Sequence, residues 1–329
     1  MKRDSRIDFL RMIGILFIVL AHVHPPEKIF VYRMFDVTLM TFLMGMGMGI
    51  SGPSKDGYIS YLWKRFKRLM VPAYVFLLLF FILFNIINIF SSIKYNFTLK
   101  NYVGSFSTFS GIGYIWIIRV FFIMSILSPI FIWLSNKIKK IHFKLAFISI
   151  SLIIQQLLCI LVENKNGILY KIISDLFIMS FGYAIITLLG LWVYKQNTKD
   201  NLIFTSYFLI IFILLLIKYN FYTMISYKYP PYPFYLSYGF LVSIVLWQLL
   251  SFDKIKEKTS NIKCVKWFST NSMTVYYWHI IPVFYLENYI KDSYLANTWW
   301  LAYAAVLGFS ILGTILQNNI KIIYKKRIY

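Results

Sequence analysis

The sequence is short of charge. Only 14% of its 329 residues are Asp, Glu, Lys or Arg, against about a quarter in soluble domains. A water-soluble globule with a charged skin is therefore excluded. Acidic residues are the scarcest, 12 against 34 Lys and Arg, for a net charge of +22. In a soluble protein that excess would suggest nucleic acid. No aromatic-basic interleaving in a soluble segment supports such binding, so the charge is assigned to membrane topology and anionic lipid headgroups. With four His and two Cys there is no metal-ligand cluster, and Cys159 and Cys264 form no disulfide framework. A Gly-Lys-Ser/Thr phosphate loop and a Gly-x-Ser-x-Gly elbow are both missing. No small-residue cleavage site follows the Lys2-Arg3 start, and "HVHPP" suits a helix end, so the first apolar run reads as a span and not as a signal peptide.

Apolar residues fill the space that charge leaves: 59% of the chain is hydrophobic and 20% aromatic. Runs near the length that crosses a bilayer recur from end to end. The expected fold is all-α and polytopic, with about ten transmembrane helices near residues 8–24, 34–51, 69–91, 112–134, 144–163, 172–194, 202–219, 233–251, 271–290 and 298–320. The connections are short, so residues 1–329 read as a single transmembrane domain with no separate soluble domain. With the N-terminus in the cytoplasm, 23 of the 34 Lys and Arg fall in cytoplasmic segments, nine in outer ones, and two, Arg11 and Arg119, inside spans. That split favours both termini inside. It also sets Cys159 and Cys264 on opposite sides.

Against this apolar background, a few ionisable residues are conspicuous. In "RIDFLRMIGILFIVLAH", Arg11 and His22 stand eleven residues apart, about 16.5 Å of helical rise and about 20° of rotation. They share one face, with Asp8 one turn below Arg11 and able to pair with it. They read either as interfacial anchors or as functional groups. In "WKRFKRLMVPAYV", Arg65 and Arg68, and Lys64 and Lys67, repeat at i, i+3. This cationic patch is either a positive-inside signal or a bidentate grip on phosphate. "GIGYIWIIRVFF" sets Trp116 and Arg119 in the outer half of a span, too deep for Arg119 to snorkel with ease. Asp36, Glu163 and Asp175 are its candidate partners, and a structural ion pair competes with a role in binding an acceptor. His279, in "STNSMTVYYWHIIPVF", is either a packed structural histidine or a functional one. His24 is interfacial. The glycines of "MTFLMGMGMGI" indicate close helix packing.

In this order, these motifs resemble the integral-membrane acyltransferase-3 family, which O-acylates cell-surface sugars in bacteria and related substrates elsewhere. Arg11 and His22 match its Arg-x10-His pattern, and Arg65 and Arg68 its Arg-x-x-Arg pattern ahead of "RLMVPAY". "FDVTLMTFLMGMGMGI" looks like the family's second helix, with Met44-Gly45 where Ser-Gly is usual. "YIWIIRVFF" and "WFSTNSMTVYYWH" look like later spans. The resemblance implies a multi-pass enzyme of the bacterial plasma membrane. Its donor would be acetyl-CoA or another acyl-CoA on the cytoplasmic side, and its acceptor a glycan or lipid-linked sugar. It involves no metal. Many members carry an extra extracytoplasmic hydrolase-like domain. None is expected within these residues, so transfer is completed in the membrane domain or handed to a partner.

On that reading His22 is the catalytic base. Arg11 serves the donor or the oxyanion, Arg65, Arg68, Lys64 and Lys67 bind CoA, and Trp116, Arg119, Asp36 and His279 bind the acceptor. A homo-oligomer is compatible with the pattern. One alternative is a transporter or flippase of lipid-linked sugars, whose cationic cavity would grip a diphosphate. Another is a different membrane acyltransferase fold built on His279.

Overall fold

The computed structural model describes residues 4–52, 57–109, 111–221, 223–252 and 262–328. Among these every regular element is helical. The topology cations Lys2, Arg3, Lys55, Lys254, Lys256 and Lys258 lie outside the described residues, as do the side chains of Lys325, Lys326 and Arg327.

The chain runs through α1 (Ser5–Ala21), α2 (Glu27–Tyr32), α3 (Asp36–Ser51), α4 (Tyr58–Phe90), α5 (Leu99–Phe106), α6 (Trp116–Ile126), α7 (Ser128–Lys137) and α8 (Ile141–Val162). It continues through α9 (Ile168–Ile172), α10 (Met179–Lys195), α11 (Thr198–Lys218), α12 (Pro233–Leu249), α13 (Lys263–Asn288), α14 (Tyr294–Asn297) and α15 (Trp299–Ile328). Six helical stretches among the described residues are long and apolar enough to cross a membrane, or seven if α6 and α7 form one bent span. α1 and α12, at 17 residues each, fall short in length. α13, at 26 residues, carries too many polar side chains to meet the same standard.

Two boundaries differ from the sequence expectation. α4 begins at Tyr58 and runs 33 residues straight through Pro72, so Arg65 and Arg68 lie within a helix and not ahead of one. The stretch expected as one span at 112–134 is broken at Leu127, where α6 and α7 bend by 52°. Pro129 has no N–H to give to the turn before it, which explains the break.

α3 and α10 form the centre of the bundle. Their glycines allow the backbones to touch: a Cβ added at Gly45 would stand 1.8 Å from the Thr187 carbonyl oxygen, and one at Gly190 2.0 Å from that of Phe42. This confirms the packing role read from the Met/Gly run for Gly45, whereas Gly47 faces open space. Around this centre, α8 and α11 keep apolar residues on their outer faces, including Ile153, Leu157, Leu209, Ile213 and Leu214. A lipid-facing helix is apolar all round, so it has no polar face to mark its outside.

Gly45→Ala should therefore push α3 and α10 apart and destabilise the protein by about 1–3 kcal/mol. Gly47→Ala should be neutral or stabilising by up to roughly 1 kcal/mol, through helix propensity. Thermal melts of both variants in detergent check the pair, and equal effects would remove the close-approach explanation.

Candidate functional site

Asp4 caps α1 by accepting from the Arg6 N–H at 3.0 Å, and the helix then continues unbroken to Ala21 with His22 as its C-cap. The eleven-residue register from Arg11 to His22 is thus preserved. Both residues meet the same partner helix, α13. Near the start of α13, the Ser269 hydroxyl accepts from Arg11 Nη1 at 3.3 Å and donates to Asp8 Oδ1 at 2.5 Å. Ser269 therefore bridges the two charges that the sequence placed one turn apart. Ten residues on, about 15 Å of rise, the His279 ring stands 5.2 Å from the His22 ring. α1 and α13 run side by side in the same direction, joined at two levels.

At the upper level His22 donates from Nδ1 to the Ile18 carbonyl at 2.8 Å. A carbonyl only accepts, so the proton sits on Nδ1, and Nε2 keeps its lone pair. Nε2 takes no hydrogen bond from the described residues. His279 repeats the arrangement: its Nδ1 faces the Tyr276 carbonyl, it is fully buried, and its Nε2 has no protein partner. The Tyr114 ring meets His22 edge-on at 5.2 Å. Its hydroxyl donates to Glu287 Oε2 at 2.5 Å, and Tyr276 donates to the Tyr114 carbonyl. Glu287 also bonds His24 Nε2 at 3.2 Å, and this carboxylate holds the exposed His24 imidazole above its usual range. A cavity of about 690 Å³ opens over His22, lined also by His24, Glu287, Lys291, Asn297 and Trp299.

The cationic patch occupies another part of the molecule. Arg65 lies with its guanidinium 5.1 Å from the Tyr61 ring, and Lys67 with its ammonium 5.6 Å from the Trp63 ring. Arg68 is exposed and close enough to Arg65 to feel its charge. Among the described residues Arg65, Lys67 and Arg68 form no ion pair, and Lys64 is exposed beside them. The patch adjoins α13, because the carbonyl of Leu69, next after Arg68, accepts from the Tyr277 hydroxyl at 3.2 Å.

The remaining expected residues separate into two groups. Trp116 packs near Tyr183 and edge-on to Tyr229 at 5.4 Å. Arg119 is buried, donates to the backbone carbonyls of Thr108 and Asp175 at 2.8 Å each, and lies over the Phe109 ring. The Asp175 carbonyl belongs to a π-helical turn at Ile173–Ile178, whose irregular ladder leaves it available. Of the three carboxylates proposed for Arg119, only that of Asp175 is within electrostatic reach. Asp36 instead forms a buried ion pair with Arg33 at 2.6 Å, which corrects the expected Arg119 pairing. The i, i+3 spacing of Arg33 and Asp36 was the available signal, obscured because both were assigned to a loop and a helix end. Tyr114 and Glu287, which complete the histidine cluster, lacked any local signal.

A family model described as an acyltransferase domain matches residues 4–317. No curated protein and no solved structure matches the chain.

Proposed function

Since the chain belongs to the acyltransferase-3 family, we propose that this membrane acyltransferase moves an acyl group, acetyl as the family's usual donor group, from cytoplasmic acyl-CoA to a hydroxyl of a cell-surface or lipid-linked glycan. The observation that carries this reading is His22. It is an imidazole with Nδ1 committed to a carbonyl and Nε2 open, at the floor of a cavity large enough for a sugar.

In the reaction, a glycan hydroxyl attacks the thioester carbonyl while His22 Nε2 takes its proton. The tetrahedral oxyanion collapses, the C–S bond breaks, and CoA leaves as the thiolate, which recovers the proton from the imidazolium. Locked by Ile18, His22 needs no ring rotation to do this. Arg65 and Arg68, which form no ion pair among the described residues, suit the phosphates of CoA together with Lys64 and Lys67. Arg11, held by Ser269, lies about 16.5 Å below His22, a distance comparable with the reach of the pantetheine arm. Trp116 offers an apolar face for a sugar ring.

We also propose that ten segments cross the membrane, with both termini cytoplasmic. α1 and α12 span about 25 Å, close to the ~30 Å hydrocarbon core. α13 tolerates its polar residues because several of them face α1, α4 and α15 and not lipid. A cysteine at Asn136, in a background without Cys159 and Cys264, should be shielded from an impermeant thiol reagent in intact cells, and one at Asn166 should react. Both positions are exposed. The opposite labelling pattern would invert the donor and acceptor sides.

His22→Ala should fold and bind CoA normally yet lose ~10²–10⁴-fold in acyl transfer, measured on a purified glycan acceptor beside a thermal melt. Full activity in His22→Ala, with loss in His279→Ala instead, would move the base to α13. Changing Arg65 and Arg68 together to Gln should weaken CoA binding, since hydrogen bonds to charged groups contribute about 1.5–3 kcal/mol each. Rising salt should weaken it further. Unchanged calorimetric affinity in the double variant would reduce the patch to a topology signal.

A further inference from the structure

Near His22 the buried charges do not balance. Arg33 is 1% exposed and its Nη1 is bound by Asp36, but its Nε has no partner and its guanidinium lies 3.9 Å from the Phe30 ring. Asp36 is further engaged, accepting from the Val37 N–H at 2.8 Å. Lys228 follows the short 3-10 turn Met224–Tyr227 in the link between α11 and α12 and is 7% exposed. Its ammonium lies 5.3 Å from the Tyr229 ring. Among the described residues no carboxylate and no hydrogen-bond acceptor meets it. Arg33 is paired with Asp36 while Lys228 is not, and the charges of all three act on His22. Buried charges are normally paired, because removing an ion from water is strongly unfavourable. An ammonium without a carboxylate partner can form an ion pair with an arriving anion.

The surroundings show which ligand. Lys228 lies on the link between α11 and α12, whereas the Arg65 and Arg68 patch assigned to CoA lies on α4. Its neighbour Tyr229 meets Trp116 at 5.4 Å and forms part of the wall of a second cleft, of about 1020 Å³, that also presents Lys100, Lys165 and Lys171 against Glu163 and Asp175. Aromatic faces beside a cation suit a sugar ring bearing an acidic group. We infer that Lys228 is an anion-binding site near His22 that selects an acceptor glycan carrying a carboxylate or phosphate.

The inference deepens the proposed acyltransferase reading, but its test does not depend on turnover. The full chain with Arg65→Gln and Arg68→Gln, which removes the other phosphate site, is titrated by calorimetry with methyl glucuronide and with inorganic phosphate. At least one should bind, and whichever does identifies the acid as carboxylate or phosphate. Adding Lys228→Met should weaken that binding at least about tenfold, while Lys228→Arg should keep it within about threefold. Absence of binding by both probes, or equal binding in Lys228→Met and Lys228→Arg, would overturn the inference. Acyl transfer then separates acceptor from oxyanion: with Arg65 and Arg68 intact, Lys228→Met should raise KM for a glucuronide acceptor and leave a neutral glucoside unaffected. An equal fall in kcat for both acceptors would reassign Lys228 to the thioester oxyanion. Lys228-dependent anion binding without any acyl transfer would leave the site standing and remove the acyltransferase reading instead.

Discussion

The arrangement depends on one helix pair. α1 and α13 lie parallel and are tied at two levels, by Ser269 between Arg11 and Asp8 at one end and by the imidazoles of His22 and His279 at the other. In an apolar surrounding an unbridged Asp–Arg pair or an unshielded imidazole would be costly. The Asp8–Arg11 pair on α1 is therefore matched by Ser269 on α13, and this contact sets the relative height of the two helices. A one-residue slip would turn Ser269 by about 100° away from Arg11 and separate the histidines in the same movement. The spacing of the proposed donor and acceptor ends is thus maintained by packing.

Charge is used sparingly and unevenly. Arg33 and Arg119 are both buried, yet they are satisfied differently. Arg33 takes a carboxylate three residues away, whereas Arg119 takes two backbone carbonyls, one of them presented by a π-helical turn. Carbonyl dipoles stabilise a guanidinium without neutralising it. Together with Lys228, and with Arg65 and Arg68, which form no ion pair among the described residues, this leaves both ends of the bundle electropositive. The proposed donor and the proposed acceptor would each bring anionic groups to those ends.

What was legible in the sequence follows from what is local. The all-helical, membrane-spanning class follows from the lack of charge and the length of the apolar runs, since backbone groups in lipid must be satisfied within the segment. The shared face of Arg11 and His22 follows from helical geometry, and the resemblance that rests on the same residues is matched by the family assignment over residues 4–317. The close packing at Gly45 also follows locally, because a residue without a Cβ in an apolar helix marks backbone approach. Less was legible at the boundaries. The start of α4 at Tyr58 was hidden because the basic residues Lys64, Arg65, Lys67 and Arg68 interrupt the apolar run without interrupting the helix.

Only the tertiary structure decided who meets whom. Nothing in the sequence distinguished His279 as the neighbour of His22 from His24, two residues along the chain, because 257 residues separate the two histidines that meet. Asp36 was an equally good partner for Arg119 on paper, but it pairs with Arg33, three residues away. Tyr114 comes from the turn before α6 and Glu287 from the end of α13, and they enter the His22 cluster only through packing. Hydropathy determines which segments enter the membrane. Within it, apolar contacts are nearly interchangeable, so the few polar groups that have no water to turn to select the arrangement in which most of them find a partner.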